Sequence, residues 1–538
     1  MLGLSFPPFK TWFLIYGGII ILLHLILTSE KPGQVFRRGW FVMLVFNIIS
    51  CYWVGGWQSD DIFLKLGGIG TLLVHPLIML IPIMLTYLVK RTANAGLALL
   101  LFPLFWVGFE YFDNNWQLCF PWIELGNSET YNLNRIQYAE LVGVHGITFL
   151  ICSISSGIYF LTNKIISGKW RLNSFISIAT LILILIAITF PNEYSYFYLK
   201  NTSHTQKYFK SDDSSKIIKS VVVQSDIDPL KKWEINGLEK TVNKYLTILN
   251  SELDKNADLY ILNETSVPYY FLKDYPGSTI KFFNFANENN KYLLMGIPHI
   301  QDFPDSNTAP KDSRIFSISR TRYKVFNSAI LIEPGVGEFE SQIHEKSKLV
   351  PFSEHIPYKK QLPFLSKWMQ WGVGISDWDY GPGIHVFNMN NPHLRINTKF
   401  ETWICFESVF SDYARKGVRD GAEFIVIVTN DGWFGNSAGP VQHKQYAVLR
   451  AIENRKWIIR CAQTGISCYI DPLGNIYDEV PINKEDVISK TIYANDEKTF
   501  YTEHGDILGM TGYYACIIIL VLFIPVYIYK RIVKRAVK

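Results

Sequence analysis

No CxxC pair and no cysteine–histidine spacing of the kind that holds zinc occurs in the 538 residues, and the seven cysteines are an odd number. Cys51, Cys119, Cys152, Cys405, Cys461, Cys468 and Cys516 therefore suggest neither a metal site nor a dense disulfide framework, and at least one thiol is expected to be free. Charge is also scarce. Charged residues make up 18% of the chain, the formal net charge is +5, and no basic stripe is interleaved with aromatics, which argues against a nucleic-acid partner. Apolar surface, in contrast, is abundant: 49% hydrophobic and 15% aromatic residues give a mean hydropathy of +0.11. That is high for a soluble enzyme and low for a chain made only of membrane spans. The length exceeds one ordinary core, so at least two structural units are expected.

The long apolar runs cluster before residue 191 and recur only near the end. They predict seven membrane helices, near 11–29, 40–56, 66–89, 95–111, 139–162, 174–190 and 511–529. His24, His75 and His145 fall within these spans, where a lone histidine serves as a helix–helix hydrogen-bond partner. The loops 31–38, 89–94 and 162–173 are basic, whereas 57–63 and 110–129 are acidic or aromatic, and the two kinds alternate as threading requires. The basic tail 530–538 assigns the C-terminus to the cytoplasm and the large insert before the last span to the opposite side. An odd number of spans puts the N-terminus outside, which suggests a missing or shortened first helix.

Between about 217 and 500 short β-branched runs alternate with helix-compatible segments: 217–224, 257–264, 292–298, 328–334, 401–407, 423–430 and 456–464. This pattern predicts an α/β domain with covered sheets. Several runs end in polar residues, Gln224, Glu264, Glu407 and Asn430, which are candidates to converge beyond the strand ends. Cys405 belongs to this group and precedes a segment of helical spacing, so a thiolate stabilised by a helix N-terminus is expected there. Cysteine is also among the most buried residue types, and a packing role is the alternative. A thiol nucleophile needs a base and an oxyanion donor. Glu264 is a candidate for the first, and Lys346 or Lys348, which the spacing does not separate, for the second.

Glu in "NETSVP", Lys in "EKSKLVPFSEHIP" and Cys in "WICFES", in that order, resemble the Glu-Lys-Cys triad of the nitrilase superfamily. The segments "LSFPPF" (4–9), "FPWIELGNS" (120–128), "GVHGITFL" (143–150), "LVPFSEHIP" (349–357) and "NDGWFGNSAGPVQH" (430–443) extend the likeness over nearly the whole chain. Together they resemble the bacterial apolipoprotein N-acyltransferases. The resemblance implies a polytopic α-helical membrane bundle (1–190), an α/β nitrilase-like αββα sandwich domain (217–500), a C-terminal transmembrane helix (511–529) and a basic cytoplasmic tail (530–538). It implies Glu264 as general base, Lys346 as oxyanion-stabilising lysine and Cys405 as nucleophile, with Glu354 and Glu407 as auxiliary glutamates and Trp433 as a substrate-binding aromatic. Asn263, where proline often precedes the base, and Ser353, where glycine is common, depart from the pattern. The glycine- and aromatic-rich stretch 371–383 reads as a mobile, lipid-facing arm.

The function so implied is transfer of a fatty acyl chain from a phospholipid, through a cysteine thioester, to the N-terminal amine of a diacylglyceryl-modified lipoprotein. It requires no metal and no cofactor. The expected location is the bacterial inner membrane, multi-pass, with the catalytic domain on the periplasmic side. The alternative is a membrane-tethered nitrilase-type amidase with water as acceptor. A transporter is disfavoured because few ionisable groups lie at mid-span and no inverted repeat is evident.

Overall fold

The computed structural model describes residues 1–55, 62–168, 175–228, 232, 237–305, 307–359, 361 and 377–536. Each of the seven apolar runs is helical. The helices are Leu14–Thr28, Pro32–Cys51, Ile62–Ile78 followed at once by Leu80–Thr92, Ala95–Asp113, Ala139–Ile166, Phe175–Lys200 and Ile507–Ala536. Among the described residues six stretches are long and apolar enough to cross a bilayer. Leu14–Thr28 has 15 residues, about 22 Å at 1.5 Å per residue, which falls short of a hydrocarbon core of about 30 Å.

Three boundaries differ from the sequence expectation. The stretch 31–38 is not a loop: Pro32 opens the next helix, and the Gln34 side chain accepts hydrogen bonds from the Glu30 and Lys31 main chain at 3.0 and 3.2 Å. The run 66–89 lies in one apolar stretch, Lys65–Thr92, long enough to cross a bilayer, but its helix divides at Met79, three residues after Pro76, which has no N–H to donate. The basic tail continues the last helix as far as Ala536.

The two ends of the bundle differ in chemistry. At one end Lys90 Nζ donates to the Ser29 carbonyl (2.7 Å), Tyr87 to the Glu30 carbonyl (2.8 Å) and Lys530 Nζ to the Thr92 carbonyl (2.7 Å), so basic segments converge there. At the other end Gln442 of the α/β domain accepts from the indole N–H groups of Trp53 and Trp122 and donates to the Pro7 and Ser50 carbonyls. One side chain thereby ties four points of the bundle to the domain. His75 pairs with Asn47 of the neighbouring helix at 2.8 Å, as expected of a histidine within a span, whereas His145 pairs with loop residues, Glu124 at 3.1 Å and Asp506.

The α/β domain contains two sheets. The first has the order β13 (Asp486–Tyr493), β1 (Ile217–Gln224), β2 (Leu259–Ile261), β3 (Tyr292–Phe303), β5 (Arg322–Ile332), β4 (Arg314–Ile315), with β6 (Gln342–Glu345) also on β5. The second runs β12 (Ile476–Tyr477), β11 (Cys468–Ile470), β10 (Ile458–Ala462), β9 (Phe424–Thr429), β8 (Ile396–Ile404), β7 (Val386–Asn391). Strand alternation sends every second residue to each face. Ile218, Val222, Leu259, Ile261, Leu294 and Leu331 meet Phe400, Ile404, Val426, Val428 and Ile459 between the sheets. Val221, Val223, Tyr260, Leu293 and Met295 face outward onto the helices Gly237–Ser251 and Pro276–Asn289. On the far side Trp403, Ile425 and Ile427 pack on the helices Ser411–Arg419 and Ala438–Asn454, and this layer is continuous with the core of the membrane bundle. The architecture is a helical membrane bundle carrying an αββα sandwich.

Candidate active site

Glu264, Lys346 and Cys405 each lie just past the C-terminal end of a strand, β2, β6 and β8 respectively. Two of the three strands, β2 and β8, belong to parallel pairs, which leaves their ends open to a crevice. Cys405 has φ = 51° and Thr265 has φ = 44°, left-handed values that are costly for residues with a Cβ. The strain sits at the nucleophile candidate and beside the base candidate.

The carboxylate of Glu264 is buried and fully engaged. One oxygen accepts from Asn327 Nδ2 (2.7 Å) and Lys346 Nζ (3.1 Å), the other from the Asn430 N–H (2.9 Å). Lys346 Nζ also donates to Glu354 at 2.8 Å, and Glu354 accepts further from Asn327 Nδ2 (3.2 Å) and the Val350 N–H (2.8 Å). Burial opposes the charge of Lys346, yet the two carboxylates outweigh it and hold its pKa well above the ordinary lysine range. Lys348 is not part of this network. It donates to the Asn114 carbonyl at 3.2 Å, so the structure separates the two lysines that spacing alone left equivalent.

The Cys405 thiol is pushed up, first by burial and then by the charge of Glu264, with Lys346 opposing. The expectation of a low-pKa thiolate is therefore overturned. The segment after Cys405 opens with a short 3₁₀ turn, Cys405–Val409, and the α-helix begins only at Ser411. The helix expected to begin at the sulfur therefore starts six residues beyond it, too far for its dipole to act there.

Glu407 serves the backbone of this turn. It accepts from the Ile404 N–H (2.9 Å), His344 Nε2 (3.0 Å), the Ser347 N–H (2.8 Å) and Tyr413 OH (2.8 Å). Burial would raise its pKa, but His344 and these donors keep it below the ordinary glutamate value. Glu407 thus clamps the Cys405 turn to the segment that carries Lys346. A second clamp comes from His443, whose Nδ1 pairs with Asp431 (2.9 Å) and whose Nε2 lies 2.8 Å from Ser408 Oγ and 3.2 Å from the Cys405 carbonyl. Arg460 holds the other Asp431 oxygen at 2.7 Å.

Trp433 is 44% exposed in the turn Asp431–Phe434, while its neighbour Phe434 packs against Trp53 and Trp122. Of the arm at 371–383, residues 371–376 lie outside the described residues. Its remaining part touches the site through main-chain bonds from Trp378 to the Glu354 carbonyl and from Gly381 to the Lys346 carbonyl, both 2.9 Å. Asn263 accepts from Tyr245 OH (2.6 Å) and donates to Gln463 (3.0 Å), a side-chain brace in place of a proline ring.

Sequence reading missed Asn327, His344, Ser347 and His443. Asn327 lies mid-strand in β5 and His344 within β6, where no local pattern distinguishes an inward polar residue from an outward one. Gly296 of β3 was equally silent. A Cβ there would stand 2.5 Å from Glu264 Cα and 2.7 Å from the Asn263 carbonyl, so only glycine lets this backbone approach. Gly296→Ala is expected to cost about 1–3 kcal/mol of stability. It should also displace Glu264 enough to lower turnover by on the order of 10²-fold, as melting and activity assays would register.

Residues 1–157 match the family described as apolipoprotein N-acyltransferase N-terminal domain, and residues 222–500 match the carbon-nitrogen hydrolase family. The apolipoprotein N-acyltransferase of Chlorobaculum tepidum is 30% identical over 531 residues, covering 96% of this chain and 94% of its own. That of Geobacter metallireducens is 29% identical over 530 residues, covering 96% and 91%. Among solved structures, Saccharomyces cerevisiae Nit3, a member of branch 10 of the nitrilase superfamily, aligns with a TM-score of 0.38 and 18% identity over 53% of this chain and 92% of that one.

Proposed function

The chain belongs to the apolipoprotein N-acyltransferases, and from that membership we propose a two-step acyl transfer in which Cys405 carries the acyl group, Glu264 moves the protons and Lys346 holds the oxyanion. The observation that carries this reading is the meeting of Glu264, Lys346 and Glu354 through bonds of 2.8 to 3.1 Å beside a strained cysteine on whose thiol Glu264 and Lys346 both act.

In the first step Glu264 takes the Cys405 proton as sulfur attacks an ester carbonyl of a phospholipid. Charge develops on the carbonyl oxygen, and the Lys346 ammonium, fixed by two carboxylates, is preorganised to meet it. The C–O bond breaks, the lysophospholipid alkoxide takes the proton back from Glu264, and a thioester remains. In the second step the N-terminal amine of a diacylglyceryl-cysteine attacks that thioester and yields a proton to Glu264. Sulfur leaves as thiolate and is reprotonated, and an amide has replaced the thioester. Glu354 and Glu407 act as positioning residues, on Lys346 and on the Cys405 turn respectively. Trp433, exposed on a turn whose other aromatic is anchored to the bundle, is suited to contact an acyl chain.

Both substrates are held in the bilayer by about 0.8 kcal/mol per buried methylene, so the reaction must occur where their head groups lie. The seating of the α/β domain on the end of the bundle opposite the basic segments supports a periplasmic catalytic domain in the inner membrane. Incubation of the purified protein with phospholipid tests the reading. Intact mass spectrometry is expected to show a fatty-acyl adduct on Cys405 that hydroxylamine removes and a diacylglyceryl-peptide amine accepts. Hydrolysis of a soluble amide with no lipid adduct would reject it.

A further inference from the structure

A cavity of about 460 Å³ lies between the loop that follows the Ala95–Asp113 helix and the segment that follows Lys346. Its wall includes Trp116, Cys119, Ser347, Lys348, His355 and Tyr380. The volume is ordinary for a small-molecule site, and the walls mix aromatic rings with a few polar groups.

Two of those polar groups are unusual. Lys348 has no carboxylate within 4 Å among the described residues. Its ammonium has one hydrogen bond, to the Asn114 carbonyl, and rests 4.6 Å above the Phe410 ring. Burial pulls its pKa below the ordinary lysine range, a shift that an incoming anion would reverse. His355 is 4% exposed, and among the described residues neither ring nitrogen makes a hydrogen bond of good geometry, the Val350 and Gln117 main chain offering only weak ones. Burial takes its pKa down to about 4, so at neutral pH the ring is uncharged and carries one N–H donor and one acceptor. A buried imidazole with no well-formed hydrogen bond at the wall of a cavity, beside an ammonium that feels Asp412 and Glu407 only from beyond ion-pair distance, suits a polar, anionic ligand.

The cavity is also placed for the reaction. Ser347 follows Lys346 directly, and its N–H is held by Glu407 at 2.8 Å. Ser347 alone separates Lys346 from Lys348, so their α-carbons are at most about 7 Å apart, and Glu407, which holds Ser347, also holds the Ile404 N–H beside Cys405.

We propose that this cavity is a subsite for the phosphodiester of the acyl donor, with Lys348 supplying the charge and His355 a hydrogen-bond donor. The proposal rests on the acyl-transfer reading above and adds to it two residues, Lys348 and His355, that hold the donor's phosphodiester.

The test compares acylation of Cys405 by phosphatidylglycerol in detergent micelles with acylation by p-nitrophenyl octanoate, an ester without phosphate. In the wild-type protein sn-glycerol 3-phosphate is expected to compete with phosphatidylglycerol and to leave the p-nitrophenyl ester reaction unaffected. Lys348→Gln should raise the KM for phosphatidylglycerol at least tenfold relative to its own KM for the p-nitrophenyl ester, and Lys348→Arg should recover most of that ratio. Equal inhibition of both donors by glycerol 3-phosphate, no inhibition of either, or an unchanged donor ratio in Lys348→Gln would overturn the subsite. Competition by inorganic phosphate with an unchanged donor ratio would identify a free-phosphate site and overturn it as well. Absence of any Cys405 adduct from either ester in the wild-type protein would instead reject the nucleophile assignment.

Discussion

Cys405→Ala is expected to form no acyl adduct with any ester donor and to lose N-acylation by on the order of 10⁵-fold or more, the scale seen when a nucleophile is removed from a nucleophile–base unit. The reason is the order of the reaction. In the proposed reaction the amine of the acceptor and the ester of the donor never meet, because the acyl group would wait on sulfur between two lipid substrates. Without sulfur the pocket offers the amine nothing activated to attack. Cys405→Ser should trap what cysteine passes on: an oxygen ester resists aminolysis far more than a thioester, so any adduct formed should persist in the presence of a diacylglyceryl peptide. Quantifying bound acyl by mass spectrometry before and after addition of the peptide distinguishes the two variants. Transfer to the peptide by Cys405→Ala at more than about a thousandth of the wild-type rate would mean direct attack on the phospholipid, and Cys405 would then be a packing residue in a strained turn.

Much of this arrangement was legible in the sequence because it depends on period and order. All seven runs read as strands are strands, and all seven apolar runs are helices. The strands that escaped detection, β4, β6, β7, β11, β12 and β13, are short or polar. β7 reads Val-Phe-Asn-Met-Asn-Asn, and β13 lies on one edge of its sheet and is only partly buried, so neither has the apolar density that marks a core strand. Helix limits were misplaced where one residue overrode a pattern, Pro32 by opening a helix in a basic stretch and Pro76 by interrupting an apolar one. The candidate site was legible only as three residue types in order. It was not legible as a network, because Asn327, which touches both Glu264 and Glu354, gains its role from the register of β5 against β3 and β6 rather than from its neighbours in sequence. The state of the thiol was misjudged for the same reason. Local sequence suggested a helix N-terminus, whereas the dominant influences on Cys405, burial and Glu264, come from the packed domain.

That resting state leads to the most discriminating expectation, that Glu264→Gln lowers acyl transfer while raising the reactivity of the thiol. Glutamine keeps the shape and retains an oxygen for Asn327, Lys346 or the Asn430 N–H, but it cannot take a proton, and removal of a general base costs about 10²–10⁴-fold. The sign for the thiol is opposite. Glu264 raises the Cys405 pKa and Lys346 lowers it, so deleting the carboxylate leaves the cation to act with less opposition and the pKa falls toward the ordinary thiol range. In the wild-type protein iodoacetamide labelling of Cys405 should be slow at neutral pH and climb about tenfold per pH unit as the thiolate fraction grows. In Glu264→Gln the same profile should be displaced to lower pH, giving faster alkylation at pH 7 together with slower acylation by phospholipid. A residue that merely braced the pocket would move both rates downward together. Lys346→Met separates the remaining possibility, since loss of the cation should slow alkylation as well as acylation, leaving Glu264 as the one position at which the two rates diverge.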